Sequence, residues 1–190
     1  NKEGKIEYVP ADMKYKEWYN KYIVERPVNI QLFGENDITF EEKKAIIDYK
    51  SPGEEMYQLN RKLRDGENLT AEEKEWVKNL DSLLKKMPYY EGNVSRCLTF
   101  KSNEELNKYL YSHVPGRVMT YEAYTSVSTG ELFNGESQVV LKIYSTKARD
   151  VRWAGLSEDE SIYERGCQFK VMDVYFNEEG KIIMELEEIK

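Results

Sequence analysis

The apolar residues of this chain change their spacing once, at Pro88, and that change sets the order of its secondary structure. Before it, Thr39-Phe40-Glu41-Glu42 and Thr70-Ala71-Glu72-Glu73 are capping boxes. In each, a threonine oxygen and a glutamate three residues on satisfy amide donors that a helix start leaves free. The first box opens a helical stripe of Ala45, Ile46 and Tyr49, which Ser51-Pro52-Gly53 ends. A second helix runs from about Glu54 to Arg64, with Met56, Leu59 and Leu63 on one face, and stops at Asp65-Gly66. The second box opens a third helix that turns Trp76, Leu80, Leu83, Leu84 and Met87 inward.

After Pro88 the pattern is that of strands. Val94, Leu98 and Phe100 surround Arg96 in one extended run. Helix returns from Ser102 to Tyr111, with Leu106, Tyr109 and Leu110 apolar, and Pro115-Gly116 marks a turn. Tyr121 to Thr129 is β-branched and aromatic and predicts a strand. Val139 to Tyr144 predicts a strand buried on both faces, and Cys167–Phe176 with Lys181–Glu188 a hairpin. Helices come first and strands later, with no repeating βαβ unit, so the expected class is α+β with mainly antiparallel sheets. The regular domain is expected over 38–190. Residues 1–37 are expected to be a tail or linker with one short helix over Asp12–Tyr22, ended by Arg26-Pro27.

Composition narrows the functions. The chain has 190 residues and a net charge of −7, with a pI near 5.1. Such a balance disfavours binding to a phosphate backbone, and no apolar run approaches the length of a bilayer span. Neither nucleic acid nor membrane is expected as a partner. Cys97 and Cys167 are expected as free thiols. The first residue is Asn1 rather than Met, which suggests a processed or excised product. Gly-rich dinucleotide and phosphate loops are missing. The one histidine, His113, makes a histidine-based metal site or triad a poor fit, and its place before Pro-Gly suggests a surface or turn position.

Four features can carry chemistry. Glu158 and Glu160 stand two apart before a predicted strand, so they share a face; they are a catalytic pair or an ordinary solvated acidic loop. Arg96, mid-strand among apolar residues, needs an anion: a structural carboxylate or a phosphate. Tyr124-Thr125-Ser126-Val127-Ser128-Thr129 puts hydroxyls on alternate faces, as many Ser/Thr-rich strands do. Cys97 adjoins Arg96 and is a packed thiol or a cofactor neighbour.

Taken in order, the arginine, the Ser-x-Ser strand led by an aromatic and Glu-x-Glu resemble the pattern of mono-ADP-ribosyltransferases, in particular arginine-modifying exoenzyme toxins of the binary-toxin type. Tyr89-Tyr90-Glu91-Gly92-Asn93-Val94-Ser95-Arg96 resembles that family's approach to its motif arginine. Ala45-Ile46 to Tyr49 and Leu59-Asn60-Arg61-Lys62-Leu63-Arg64 resemble its helical segments, and Glu160 to Gly166 its last motif. Val127 replaces the middle threonine, Ser95 the aromatic before the arginine, Glu164 a proline, and no arginine follows Phe133. Asp12 to Tyr22 resembles the segment that closes the head-morphogenesis domain of phage minor head proteins.

The resemblance implies two antiparallel sheets flanking a cleft for NAD, which is substrate, with no metal. It implies that Arg96 anchors the diphosphate, Ser126 orients Glu160, Glu160 holds the nicotinamide ribose and Glu158 accepts a proton from an incoming guanidinium. Tyr49, Asn60, Phe133 and Cys97 are implied as cofactor neighbours, with Tyr57 as a further lining candidate; Trp153 is a contact to a target protein or, equally, a core tryptophan. The implied partner is a protein with an accessible arginine. The implied agent is a monomeric secreted or phage-delivered toxin acting in a target-cell cytoplasm. An NAD glycohydrolase and a non-catalytic phage head domain are the alternatives.

Overall fold

The computed structural model describes residues 38–51, 53–130, 136–154 and 159–189. The short helix expected over Asp12–Tyr22 lies outside them. Among the described residues three helices come first: α1 (Phe40–Lys50), α2 (Glu54–Asp65) and α3 (Ala71–Lys86). Both expected capping boxes form, with each threonine oxygen 3.2 Å from the amide it caps and each glutamate 2.8 Å from the threonine amide. Gly66 ends α2 at φ 68°, a left-handed conformation that costs glycine nothing.

Then follow β1 (Tyr89–Leu98), α4 (Asn103–Ser112), β2 (Val118–Tyr121), β3 (Thr125–Ser128), β4 (Val139–Asp150), a 3-10 turn (Arg152–Ala154), β5 (Glu160–Tyr163), β6 (Cys167–Phe176) and β7 (Ile182–Glu188). The class is α+β, as expected, and every strand pairing is antiparallel except β4 with β7. The strands form one hydrogen-bonded network rather than two separate sheets. It has two limbs that share β4: β1, β3 and β5 close a circuit with it, and β7, β6 and β2 extend from the edge opposite β1.

The single strand expected over Tyr121–Thr129 is two strands with different partners. β2 pairs with β6, whereas β3 pairs with β5 and β1. The cause is Tyr124, 2% exposed, which leaves the sheet to enter the helical core. There its hydroxyl donates to Asp81 Oδ1 at 2.5 Å and lies 3.2 Å from the Val77 carbonyl. Of the surface or turn position expected for His113, the surface reading fails. The residue is buried, caps α4 and stacks on Tyr109 with ring centroids 3.8 Å apart. Burial holds its pKa below the ordinary value, against a backbone hydrogen bond at Tyr109 that works the other way.

Two apolar clusters hold these layers. Ala45, Ile46 and Ile47 of α1 pack with Leu80, Leu83, Leu84 and Met87 and with Ile162 of β5. Val94, Val127, Leu141, Ile143, Tyr163, Phe169 and Met184 fill the second, against Leu106, Tyr109 and Leu110 of α4. In α3 Val77 is buried as well, and Trp76, expected inward, packs on the helical core, partly exposed, and stacks on Tyr49.

One carboxylate ties α1 to α3. Glu42, 3% exposed, accepts from Ser82 at 2.6 Å and from Lys86 at 2.7 Å besides closing its capping box. Burial pushes its pKa up, but the bonds from Lys86, Ser82 and the Thr39 amide outweigh that, and the net shift is downward. A lowered folded-state pKa gives stability that is present above the unfolded value and lost as pH falls through the folded one. Glu42→Gln should therefore lower stability at pH 7 by about 1–3 kcal/mol. In thermal melts the gap to the parent chain should narrow as pH falls below about 4.3.

Candidate active site

Polar side chains from the helical layer and the sheet meet at the C-terminal end of α1. Tyr49, one residue from that end, stacks on Trp76 at 6.2 Å and meets Tyr124 edge-on at 5.8 Å. These contacts aim its hydroxyl at β3, where it lies 3.0 Å from Ser126 Oγ. Asn60 of α2 donates to the same hydroxyl at 3.3 Å. Burial pushes the Tyr49 pKa up, against Ser126, Arg96 and Asn60, so the phenol is neutral at physiological pH.

Arg96 of β1 reaches the same strand: its Nη1 donates to the Ser126 carbonyl at 2.7 Å. Among the described residues no carboxylate comes within 4.0 Å of its guanidinium. The structural ion pair weighed for Arg96 is therefore not present among them. A second guanidinium stands nearby. Arg64, at the end of α2, has its pKa lowered by partial loss of hydration and by the charge of Arg96. Neither guanidinium forms an ion pair among the described residues, and a diphosphate offers charge for both.

Glu160 opens β5 and is 8% exposed. Its register partner across the antiparallel pair is Ser128, while Ser126 faces Ile162. The hydroxyl of Ser126 is bonded to Tyr49, and no hydrogen bond from Ser126 to Glu160 occurs. The polar neighbour of Glu160 among the described residues is Lys50, with Nζ 3.5 Å from Oε2. Thr129 fixes this end of the strand by donating its amide and hydroxyl to the Asp159 carbonyl, at 2.8 and 3.0 Å.

Tyr49, Asn60, Arg96, Ser126 and Glu160 thus belong to one run of contacts through α1. Glu158 and Phe133 lie outside the described residues. Two expectations are corrected. Cys97 follows Arg96 in β1, and successive strand residues leave opposite faces, so it does not join Arg96 at this site. Trp153 is not an exposed anchor: it packs on the helical core, and its indole N–H lies 2.9 Å from Met87 Sδ. Tyr57, in contrast, is 76% exposed on α2. Two open hollows of about 410 and 700 Å³ lie elsewhere, and neither is lined by Arg96, Ser126 or Glu160.

The sequence matches the ADP-ribosyltransferase exoenzyme family over residues 11–190. The chain belongs to that family. It is a mono-ADP-ribosyltransferase exoenzyme, of a class that uses NAD as substrate. The match begins inside the segment expected to be a tail. Among solved structures, the fold is similar to the ADP-ribosyltransferase HopU1 of Pseudomonas syringae, with a TM-score of 0.71, 16% identity and coverage of 93% of this chain and 88% of that one. Exoenzyme S of Pseudomonas aeruginosa, in complex with human 14-3-3 protein beta and carba-NAD, gives 0.64 and 17% identity over 89% and 88%. The Vis toxin of Vibrio splendidus, in complex with agmatine, gives 0.62 and 20% identity over 82% and 77%. No curated protein matches the sequence.

Sequence reasoning passed over two residues here. Arg64 closes the helical stretch that resembles the exoenzyme family, and the missing arginine after Phe133 was a reason to seek another cation. Lys50 gave no signal, because a lysine in a last helical turn reads as a solvated partner of the helix dipole. Hydrogen bonds to charged groups contribute about 1.5–3 kcal/mol. Arg96→Lys and Arg64→Gln should accordingly each weaken NAD binding roughly tenfold or more, measured by calorimetry.

Proposed function

We propose that this exoenzyme transfers ADP-ribose from NAD to an arginine side chain of a target protein and releases nicotinamide. The observation that carries the reading is a nearly buried carboxylate, Glu160, held against Lys50 at the end of α1, where the neighbouring Tyr49 bonds Ser126 and Arg96 donates to the Ser126 carbonyl. Carba-NAD bound to exoenzyme S and agmatine, a guanidine, bound to Vis support the choice of donor and acceptor.

The bond that breaks joins C1 of the ribose to the nicotinamide nitrogen. Its electron pair leaves with the nicotinamide, and positive charge develops on the sugar. Arg96 and Arg64 hold the diphosphate. Glu160 accepts from the 2′-hydroxyl of that ribose and sets a fixed negative charge beside the developing cation, which lowers the barrier. Ser126 acts through Tyr49, whose ring walls the site. The guanidinium nitrogen then bonds to C1, and Glu158 takes its proton as general base. Glu158 stands two positions from Glu160, the spacing that lets both carboxylates serve one cleft in an extended chain. An acid at that position, rather than a glutamine, supports an arginine acceptor over a neutral one. The family's description as exoenzymes supports action inside a target cell.

The mechanism separates the two acids. Glu160→Gln should lose NAD cleavage and transfer to agmatine together, by about 10²–10³-fold. Glu158→Gln should lose transfer by about 10²-fold or more and keep much of the hydrolysis. Nicotinamide release and agmatine labelling measure the two activities side by side. Equal transfer by both variants and the parent chain would falsify the assignment.

A further inference from the structure

We infer that Lys50 is a positioning residue for Glu160, an internal cation that orients this carboxylate and balances its charge in a nearly closed site. The inference rests on the proposed role of Glu160 in NAD cleavage. It starts from an anomaly of burial. Lysine stems usually run along a surface with the ammonium in water. The Lys50 side chain is 1% exposed, and its Nζ is buried with no hydrogen-bond partner in the structure. Its nearest anion is Glu160 Oε2, at 3.5 Å, and the Glu160 side chain is itself only 11% exposed.

A carboxylate removed from water is costly unless a cation balances its charge. The ammonium of Lys50 supplies the missing counter-charge from the protein side. Its geometry leaves the carboxylate usable. The contact is long and made to Oε2, while Oε1 has no partner among the described residues. A second acid also faces this cation: Asp150, whose pKa is lowered chiefly by Arg152 against its own burial, is influenced by Lys50 as well. Asp150 is already engaged by the Arg152 guanidinium through contacts of 3.0 and 2.6 Å, which leaves Lys50 to Glu160.

The place of Lys50 in the chain gives the pair its precision. It is the last residue of α1 and directly follows Tyr49. The same helix end therefore fixes Tyr49 on Ser126 and Lys50 on Glu160. A shift of α1 would move both contacts together.

Two measurements test this, one without NAD. In thermal melts Lys50→Met and Glu160→Gln should each lower Tm, and the double variant should recover most of the loss, because neither charge is then left alone. Additive losses would overturn the pairing. In steady-state NAD cleavage, Lys50→Met and the polar variant Lys50→Gln should lower kcat at least tenfold and change KM for NAD less than threefold. The charge of Glu160 acts on the transition state, whereas the diphosphate contacts govern binding. Lys50→Arg should restore part of kcat. Turnover equal to or faster than the parent in the Met and Gln variants would overturn the positioning role. A parent chain that does not cleave NAD would defeat the proposed function instead, and the melts would still decide the pairing.

Discussion

The backbone of β4 has more strand partners than any other described strand. It pairs with β1 over most of its length, with β7 at its start and with β5 at its end. A strand so placed must be apolar on both faces where it is covered twice, and Val139, Val140 and Leu141 are all buried. From this strand the rest of the site takes its position. β1 lies beside it and presents Arg96, and β5 joins its far end and presents Glu160. β3 is held between β1 and β5 and supplies Ser126.

The helical layer completes what the sheet begins. α1 packs on α3 through Ala45, Ile46 and Ile47, so its C-terminal end has little freedom to move. That end brings an aromatic hydroxyl and an ammonium against the strand hydroxyl and the carboxylate. The polar groups sit between two apolar clusters, where interactions between charges are stronger than in water. Tyr49 is engaged by Ser126, Arg96 by the Ser126 carbonyl and Glu160 by Lys50 before a substrate arrives.

How much of this was legible depended on whether a signal was local. Capping boxes at Thr39 and Thr70 and the break at Pro88 are local, and the helices formed where they indicated. Arg96, Ser126 and Glu160 were found because their order along the chain resembles an exoenzyme pattern, not because spacing alone singled them out. What failed was decided by contacts distant in sequence. Nothing within Tyr121–Thr129 marks a break; Tyr124 is drawn out of the sheet by Val77 and Asp81 in α3. His113 reads as a turn residue until Tyr109 is seen stacked on it. Trp153 reads equally as an anchor or a core residue until Met87 is placed beside its indole. Lys50 reads as a surface cation until β5 closes over it.

The one parallel pairing has a kinetic meaning. Val139–Ile143 of β4 lies beside Ile182–Leu186 of β7, with β5 and β6 between them in the chain. Contacts between segments so far apart in sequence form late and slow the folding of the unit that contains them. As the chain leaves the ribosome, β7 emerges after every residue assigned to the site. Until it docks, the edge of β4 that it covers offers unpaired amides and carbonyls to water or to other chains. A ribosome carrying this protein therefore holds an unfinished enzyme until β7 has emerged and sealed the sheet.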